Sequence, residues 1–318
     1  MKANGLPYKS EVRSAAPSSS QVMNSVEWGL IFILSVFWGG SFFFIGVAVK
    51  ELTPFTIVCC RVLLASAALQ IVIRLKGGKM PTDLKIWGAF FIMGALNNII
   101  PFSLIVWGQT HIESSLASIL NATTPIFSVI LAHFLSGEER LSMNRFVGVV
   151  IGWAGVAILI GVESLKGVGV ELMGQIAVLG AAFCYACAAI FAKNQFKGMN
   201  PMVVAAGMLT GSAVMMTPIA IIVDQPWHLS PGVSSVAAVI ALALISTSLA
   251  YIIYFRVLST AGPTNLLLVT FLMPVVSIIL GVLILGEQIG WNAFLGMGFI
   301  FAGLITIDGR FIGSIRRK

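Results

Sequence analysis

Apolar runs of roughly twenty residues follow one another from position 27 to position 307, interrupted only by short polar or charged breaks. A hydrocarbon core about 30 Å thick needs roughly 20 such residues per helix, and the pattern divides into ten. The predicted helices span 27–49, 54–74, 86 to a turn around His111 and Glu113, that turn to 135, 145–161, 172–193, 201–223, 234–258, 264–285 and 291–307. Thr53-Pro54 reads as an N-cap followed by proline at the first helical position.

The third and fourth helices break the apolar pattern from within. Residues 97–125, NNIIPFSLIVWGQTHIESSLASILNATTP, carry Asn97, Asn98, Gln109, Asn121, Thr123 and Thr124 in or beside apolar sequence. Uncharged polar groups at such depth lose water, so they face protein or an aqueous cavity rather than lipid. Ser114, Ser118, Asn121, Pro125 and Ser128 recur at helical spacing and mark one polar face. Small polar residues also serve as helix–helix glue; a stripe that includes a proline favours a cavity wall.

Composition agrees with a bilayer protein. The 318 residues are 58% hydrophobic and 10% charged, with mean hydropathy +0.99, whereas soluble domains carry about 25% charged residues. The net charge of +7 encodes topology rather than nucleic-acid binding. Of the 19 Lys and Arg, only Lys50 and Lys166 fall in breaks on the second side of the membrane, only Arg61 lies within a helix away from its cytoplasmic end, and the other 16 belong to the segments on the first side. By the excess of basic residues on cytoplasmic loops, both termini are expected in the cytoplasm. Residues 1–26 are expected to be a disordered cytoplasmic tail, without a signal peptide, and 310–318 a basic cytoplasmic tail.

The second half repeats the first. Trp38 and Pro54 match Tyr185 and Pro201 at an offset of 147. Glu139 and Gly148 match Glu287 and Gly296 at an offset of 148. The expected fold is therefore all-α and integral to the membrane, with ten transmembrane helices in two five-helix repeats, 27–162 and 172–309. The odd number of helices inverts the second repeat relative to the first.

These paired halves, the FWGGSFF segment of the first helix, Arg61 in the second, and the Pro…GE…G pattern at 125–148 and 274–296 resemble the EamA-type drug/metabolite transporters over about residues 27–307. The resemblance implies a secondary carrier in the bacterial inner membrane, working by alternating access on a small organic solute such as an amino acid, vitamin or drug. The helix-seven counterpart of Arg61 is Met208, so any role for the arginine is one-sided.

The candidate substrate-binding residues are Trp38, Asn97, Asn98, Asn121, Thr124, Tyr185, Thr247, Tyr251, Tyr254 and Thr270. They suit a planar or amphipathic cargo held by hydrogen bonds and stacking. Arg61 is a candidate for gating or for contact with an anionic group, with pairing to Glu51 or helix-end carbonyls as the structural alternative. The twelve acidic residues all sit at helix ends or in loops, which points to facilitated diffusion or exchange; coupling through Glu27, Asp308 or His111 is the alternative. Cys59, Cys60, Cys184 and Cys187 read as packing residues, since a thiolate is unfavourable in hydrocarbon. No HExxH and no pair of mid-helix aspartates supports an intramembrane enzyme. A pore or structural membrane protein is the remaining rival. No cofactor, metal or nucleic acid is expected; the partners are a small-molecule substrate and the lipid bilayer, with a homodimer left open.

Overall fold

The computed structural model describes residues 23–135, 142–161 and 169–308. The breaks containing Glu139 and Lys166, and most of the expected tails, lie outside the described residues. Among the described residues ten helices are long and apolar enough to cross a membrane: α1 Ser25–Ala48, α2 Pro54–Leu75, α3 Leu84–Gly108, α4 Ser114–Phe134, α5 Met143–Ile160, α6 Val170–Gln195, α7 Pro201–Asp224, α8 Val233–Thr260, α9 Leu268–Leu285 and α10 Trp291–Asp308. A separate short turn of helix, Gly262–Leu266, leads into α9.

Several helices start where a side chain satisfies the free N–H groups of the first turn. Asn24 and Glu27 form a reciprocal capping box on α1. Asp83 and Asn200 accept from Lys85 N and Met202 N at the starts of α3 and α7. At α2 the expected cap is different. Thr53 holds the N-cap position but donates its hydroxyl to Thr56 Oγ1, and the Thr56 N–H goes instead to Asp224 at the end of α7, 2.7 Å away.

Among the described residues four helices contain π-helical turns: Ala220–Asp224 and Gly281–Leu285 close α7 and α9, whereas Ala95–Ile99 in α3 and Leu244–Leu249 in α8 lie mid-helix. The α3 turn precedes Pro101, which has no N–H for the Asn97 carbonyl and would crowd it in a regular α-helix. In the α8 turn, Thr247 and Ser248 donate their hydroxyls to Leu242 O and Ala243 O, five residues back. Such widenings recur at functional sites. Helix α4 is interrupted between Asn121 and Thr124, just ahead of Pro125, and the Thr124 hydroxyl takes the freed Asn121 carbonyl at 2.8 Å.

The helices pack α1 on α8 and α9, α2 on α7 and α8, α3 on α6 and α7, α4 on α6, and α5 on α10. Glycines set the α5–α10 contact: a Cβ at Gly148 would lie 2.6 Å from Gly303 O, and one at Gly155 would lie 2.7 Å from Gly296 O. The two helices thus cross antiparallel with backbones nearly touching, as small-residue seams in membranes allow. Large apolar side chains such as Val233, Leu283 and Leu75 remain exposed on the outside, as expected where the solvent is lipid.

Candidate functional site

The two mid-helix π turns and the neighbouring faces of α1, α2 and α7 bring many of the expected residues together. Arg61, only 6% exposed, donates from Nε to Thr247 Oγ1 at 2.9 Å, and its guanidinium carbon lies 3.6 Å from the centre of the Phe102 ring. Tyr185 and Tyr251 are within electrostatic range of the guanidinium. Among the described residues no carboxylate pairs with it, and its two terminal nitrogens have no hydrogen-bond partner. The structural alternative of a Glu51 pair is not realised, because Glu51 is bound elsewhere. Holding an arginine out of water costs several kcal/mol even after relaxation. One charge-assisted hydrogen bond returns about 1.5–3 kcal/mol and a desolvated cation–π contact about 2 kcal/mol. The charge is supported, but it is not neutralised.

From the same π turns an aromatic wall extends. Asn97 donates to the Tyr251 hydroxyl at 2.9 Å and lies 3.8 Å from Met208 Sδ. Tyr251 stacks on Phe255, which meets Tyr254 edge-on, and Tyr254 lies 5.5 Å from Trp38. Asn97, Tyr251, Tyr254, Trp38 and Tyr185 are all half-buried, so each keeps some accessible surface.

The other expected residues are placed differently. Asn98 is 0% exposed and donates to Ser212 on α7, a helix–helix staple. Asn121 is half-buried, and its Oδ1 is buried without a hydrogen-bond partner among the described residues. Thr270 lines a crevice of about 30 Å³ with Pro125, Leu304 and Asp308, apart from the aromatic wall. Of the α4 stripe, Ser114 and Ser118 are buried in packing, the latter bonded to Ser115 O. Sequence reasoning missed Phe102 and Phe255, and noted Met208 only as a mismatch; their chemistry is that of any apolar membrane residue, and only position distinguishes them.

One end of the bundle is fastened by carboxylates on the N-termini of neighbouring helices. Glu287, just past α9, accepts from Ser114 N at 2.8 Å and Ser115 N at 3.0 Å at the start of α4, and also from the Ser115 hydroxyl. Glu113 accepts from Gln288 N in return. Glu51 accepts from Gly232 N and Ser235 Oγ at the start of α8, and Asp224 from Thr56 N at the start of α2. Glu287, Glu51 and Asp224 thus sit at the positive ends of helix dipoles, where free N–H donors favour a negative group, whereas the Glu113 partner lies in the loop ahead of α10. Partial burial, with Glu287 and Glu171 nearby, pushes the Glu113 carboxyl above its ordinary value against the lowering effect of the Gln288 N–H. The Ser235 hydroxyl and the Gly232 N–H hold Glu51 below its ordinary value. The four cysteines are free thiols.

A model of the EamA-like transporter family matches this chain twice, at residues 27–161 and 172–307. The chain belongs to the EamA-like transporter family. It is thereby a small-molecule membrane transporter by family rather than an enzyme, and its ten long apolar helices fit that membership. It is similar to the uncharacterized transporter YoaV of Bacillus subtilis, 25% identical over 89% of this chain and 96% of that protein. It is 25% identical to the uncharacterized inner membrane transporter YedA of Escherichia coli K12, over 90% of this chain and 92% of YedA. A third relative, named a probable amino-acid metabolite efflux pump of Escherichia coli K12, is 27% identical over 89% of this chain and 94% of its own. One solved crystal structure shares the fold, with a TM-score of 0.62 at 18% identity, covering 90% of this chain and 98% of the other.

Proposed function

We propose that this chain is a secondary transporter of the bacterial inner membrane that moves a small organic metabolite by alternating access, through facilitated diffusion or exchange. The observation that carries this reading is the half-buried cluster at the two mid-helix π turns, where Asn97, Tyr251, Tyr254 and Trp38 meet the buried Arg61–Thr247 pair. Hydrogen-bonding groups beside aromatic faces suit a small amphipathic solute. Asn121, Tyr185, Thr124 and Thr270 are assigned to the path that cargo follows past this cluster. The relative named as an amino-acid metabolite efflux pump supports amino-acid-like cargo.

Two inverted repeats supply the moving parts in this reading. Shifting every helix by five maps the α1–α9 contact onto α4–α6, α1–α8 onto α3–α6, and α2–α8 onto α3–α7, while α2–α7 and α5–α10 map onto themselves. The glycine contacts behave alike, since Gly148 on Gly303 becomes Gly296 on Gly155. These exchanges support a two-fold axis in the membrane plane, the geometry that lets one half rock against the other. With both termini cytoplasmic, as the basic residues favour, the carboxylate-fastened end is the outer one. Its fastenings must then part for the central cluster to open outward.

Counterflow in proteoliposomes tests the reading. Vesicles loaded with unlabelled cargo should take up labelled cargo transiently above equilibrium, saturably, from a panel of amino acids and vitamins. Flux that rises linearly with concentration and shows no overshoot would indicate a pore, and chemical conversion of the solute an enzyme.

A further inference from the structure

We propose that the cargo carries a carboxylate, which docks end-on against the terminal nitrogens of Arg61, with its apolar body toward Met208 and the Tyr251 wall. The inference rests on the transport reading and specifies its substrate class. Three observations lead to it. Arg61 is buried, yet among the described residues its only hydrogen bond is from Nε to Thr247, which leaves the far edge of the fork with no partner. The Phe102 face 3.6 Å from the guanidinium carbon and the Thr247 hydroxyl on Nε hold the group from two sides, so that free edge has a defined place. A carboxylate matches this edge with two parallel hydrogen bonds, which a neutral amide cannot reproduce.

The third observation is the asymmetry of the two halves. Arg61 of α2 meets the α8 π turn at Thr247, and Met208, its counterpart 147 residues on, meets the α3 π turn at Asn97. Equivalent positions thus hold a cation on one side and a thioether on the other. A ligand suited to both is charged at one end and apolar at the other. A neutral or cationic solute would leave the buried guanidinium uncompensated or repelled.

Purified protein in detergent is titrated with 3-phenylpropionate and with its primary amide, followed by thermal shift, and the same pair competes in counterflow. The carboxylate should bind at least about tenfold more tightly than the amide, equivalent to about 1.4 kcal/mol. Arg61→Gln should bring the ratio to near one, and Arg61→Lys should keep part of it, since the charge remains and the fork is lost. Equal binding of acid and amide by the native protein, or an unchanged preference in Arg61→Gln, overturns the proposal. The native comparison and Arg61→Lys decide the matter if Arg61→Gln does not fold. A clear preference in detergent without counterflow would keep the anion site and discard the transport reading.

Discussion

The fastened end of the bundle and its central cluster treat charge in opposite ways. At the end, Glu51, Asp224, Glu287 and Glu113 each receive backbone N–H groups of another segment. In the cluster, Arg61 receives a ring face and one hydroxyl. The acids are matched by backbone N–H groups of the fold itself, most of them at helix N-termini, so they hold structure together. The base is matched by groups that steady its position without cancelling its charge, so it is left able to act on something that comes and goes. In the proposed reading, the difference separates a latch from a binding group. It can be broken by giving the interior a carboxylate, and sharpened by taking one from the end.

The largest effect is expected from Thr247→Asp. Position 247 is 1% exposed and already 2.9 Å from Arg61 Nε, so an aspartate there supplies a counter-ion that the cluster lacks among the described residues. The protein should fold with an unchanged or higher melting temperature. Its preference for 3-phenylpropionate over the amide should vanish, and counterflow of anionic cargo should fall at least about tenfold. Thr247→Asn, similar in size and uncharged, should keep the preference. Undiminished anion binding in Thr247→Asp would mean that Arg61 is a structural residue like the acids at the end.

A smaller effect is expected from Glu287→Gln, which removes the charge from the start of α4 while leaving one acceptor oxygen. Loss of a carboxylate at a helix N-terminus is worth about 1 kcal/mol, or roughly fivefold in a two-state opening. Ser118→Cys, at a site 0% exposed, reports the opening in a background lacking the four native cysteines. A membrane-impermeant maleimide should label it several-fold faster when Glu287→Gln is present. Unchanged labelling would mean that the fastening does not govern access from that end.

The regions also differ in how legible they were in the sequence. The ten spans were readable because a bilayer demands a fixed apolar length, and Arg61, Asn97 and Tyr251 stood out as polar groups in that background. Asn98 looked identical to Asn97, yet one residue turns a helix by about 100°, and that turn sends it to Ser212 rather than to Tyr251. Phe102, Phe255 and Met208 carry no mark that separates a cluster-facing apolar residue from a lipid-facing one. The mid-helix π turns follow from where the carbonyls near Pro101, Thr247 and Ser248 find donors, a property of hydrogen-bond geometry rather than of hydrophobic period. Glu287 was visible as part of a repeated motif, but its partners lie more than 170 positions away, beyond any local pattern. Thr53 was a reasonable cap that lost its place to Asp224, which accepts from a Thr56 N–H 168 positions away.

The smallest effect tests whether even an exposed acid at the end behaves as a latch. Glu51 accepts from Gly232 N at 2.8 Å and Ser235 Oγ at 2.6 Å, and these donors lower its pKa from the ordinary value of 4.5. A carboxylate with a depressed pKa in the folded state contributes stability that is complete above its unfolded value and is lost as pH falls through the folded one. The contribution should therefore be full at pH 7.5 and should fade only below about pH 4.5. Because Glu51 is exposed, water and salt screen it strongly, and Glu51→Gln should lower the melting temperature at pH 7.5 by only about 1–2 °C. That gap should close as the pH is lowered through the depressed pKa, toward pH 3. Arg61→Gln should show no such convergence, because an arginine stays protonated across the range. A Glu51→Gln difference of equal size at pH 7.5 and pH 3 would mean that the carboxylate's charge plays no part in holding the α8 N-terminus, and that the contrast with Arg61 is one of packing alone.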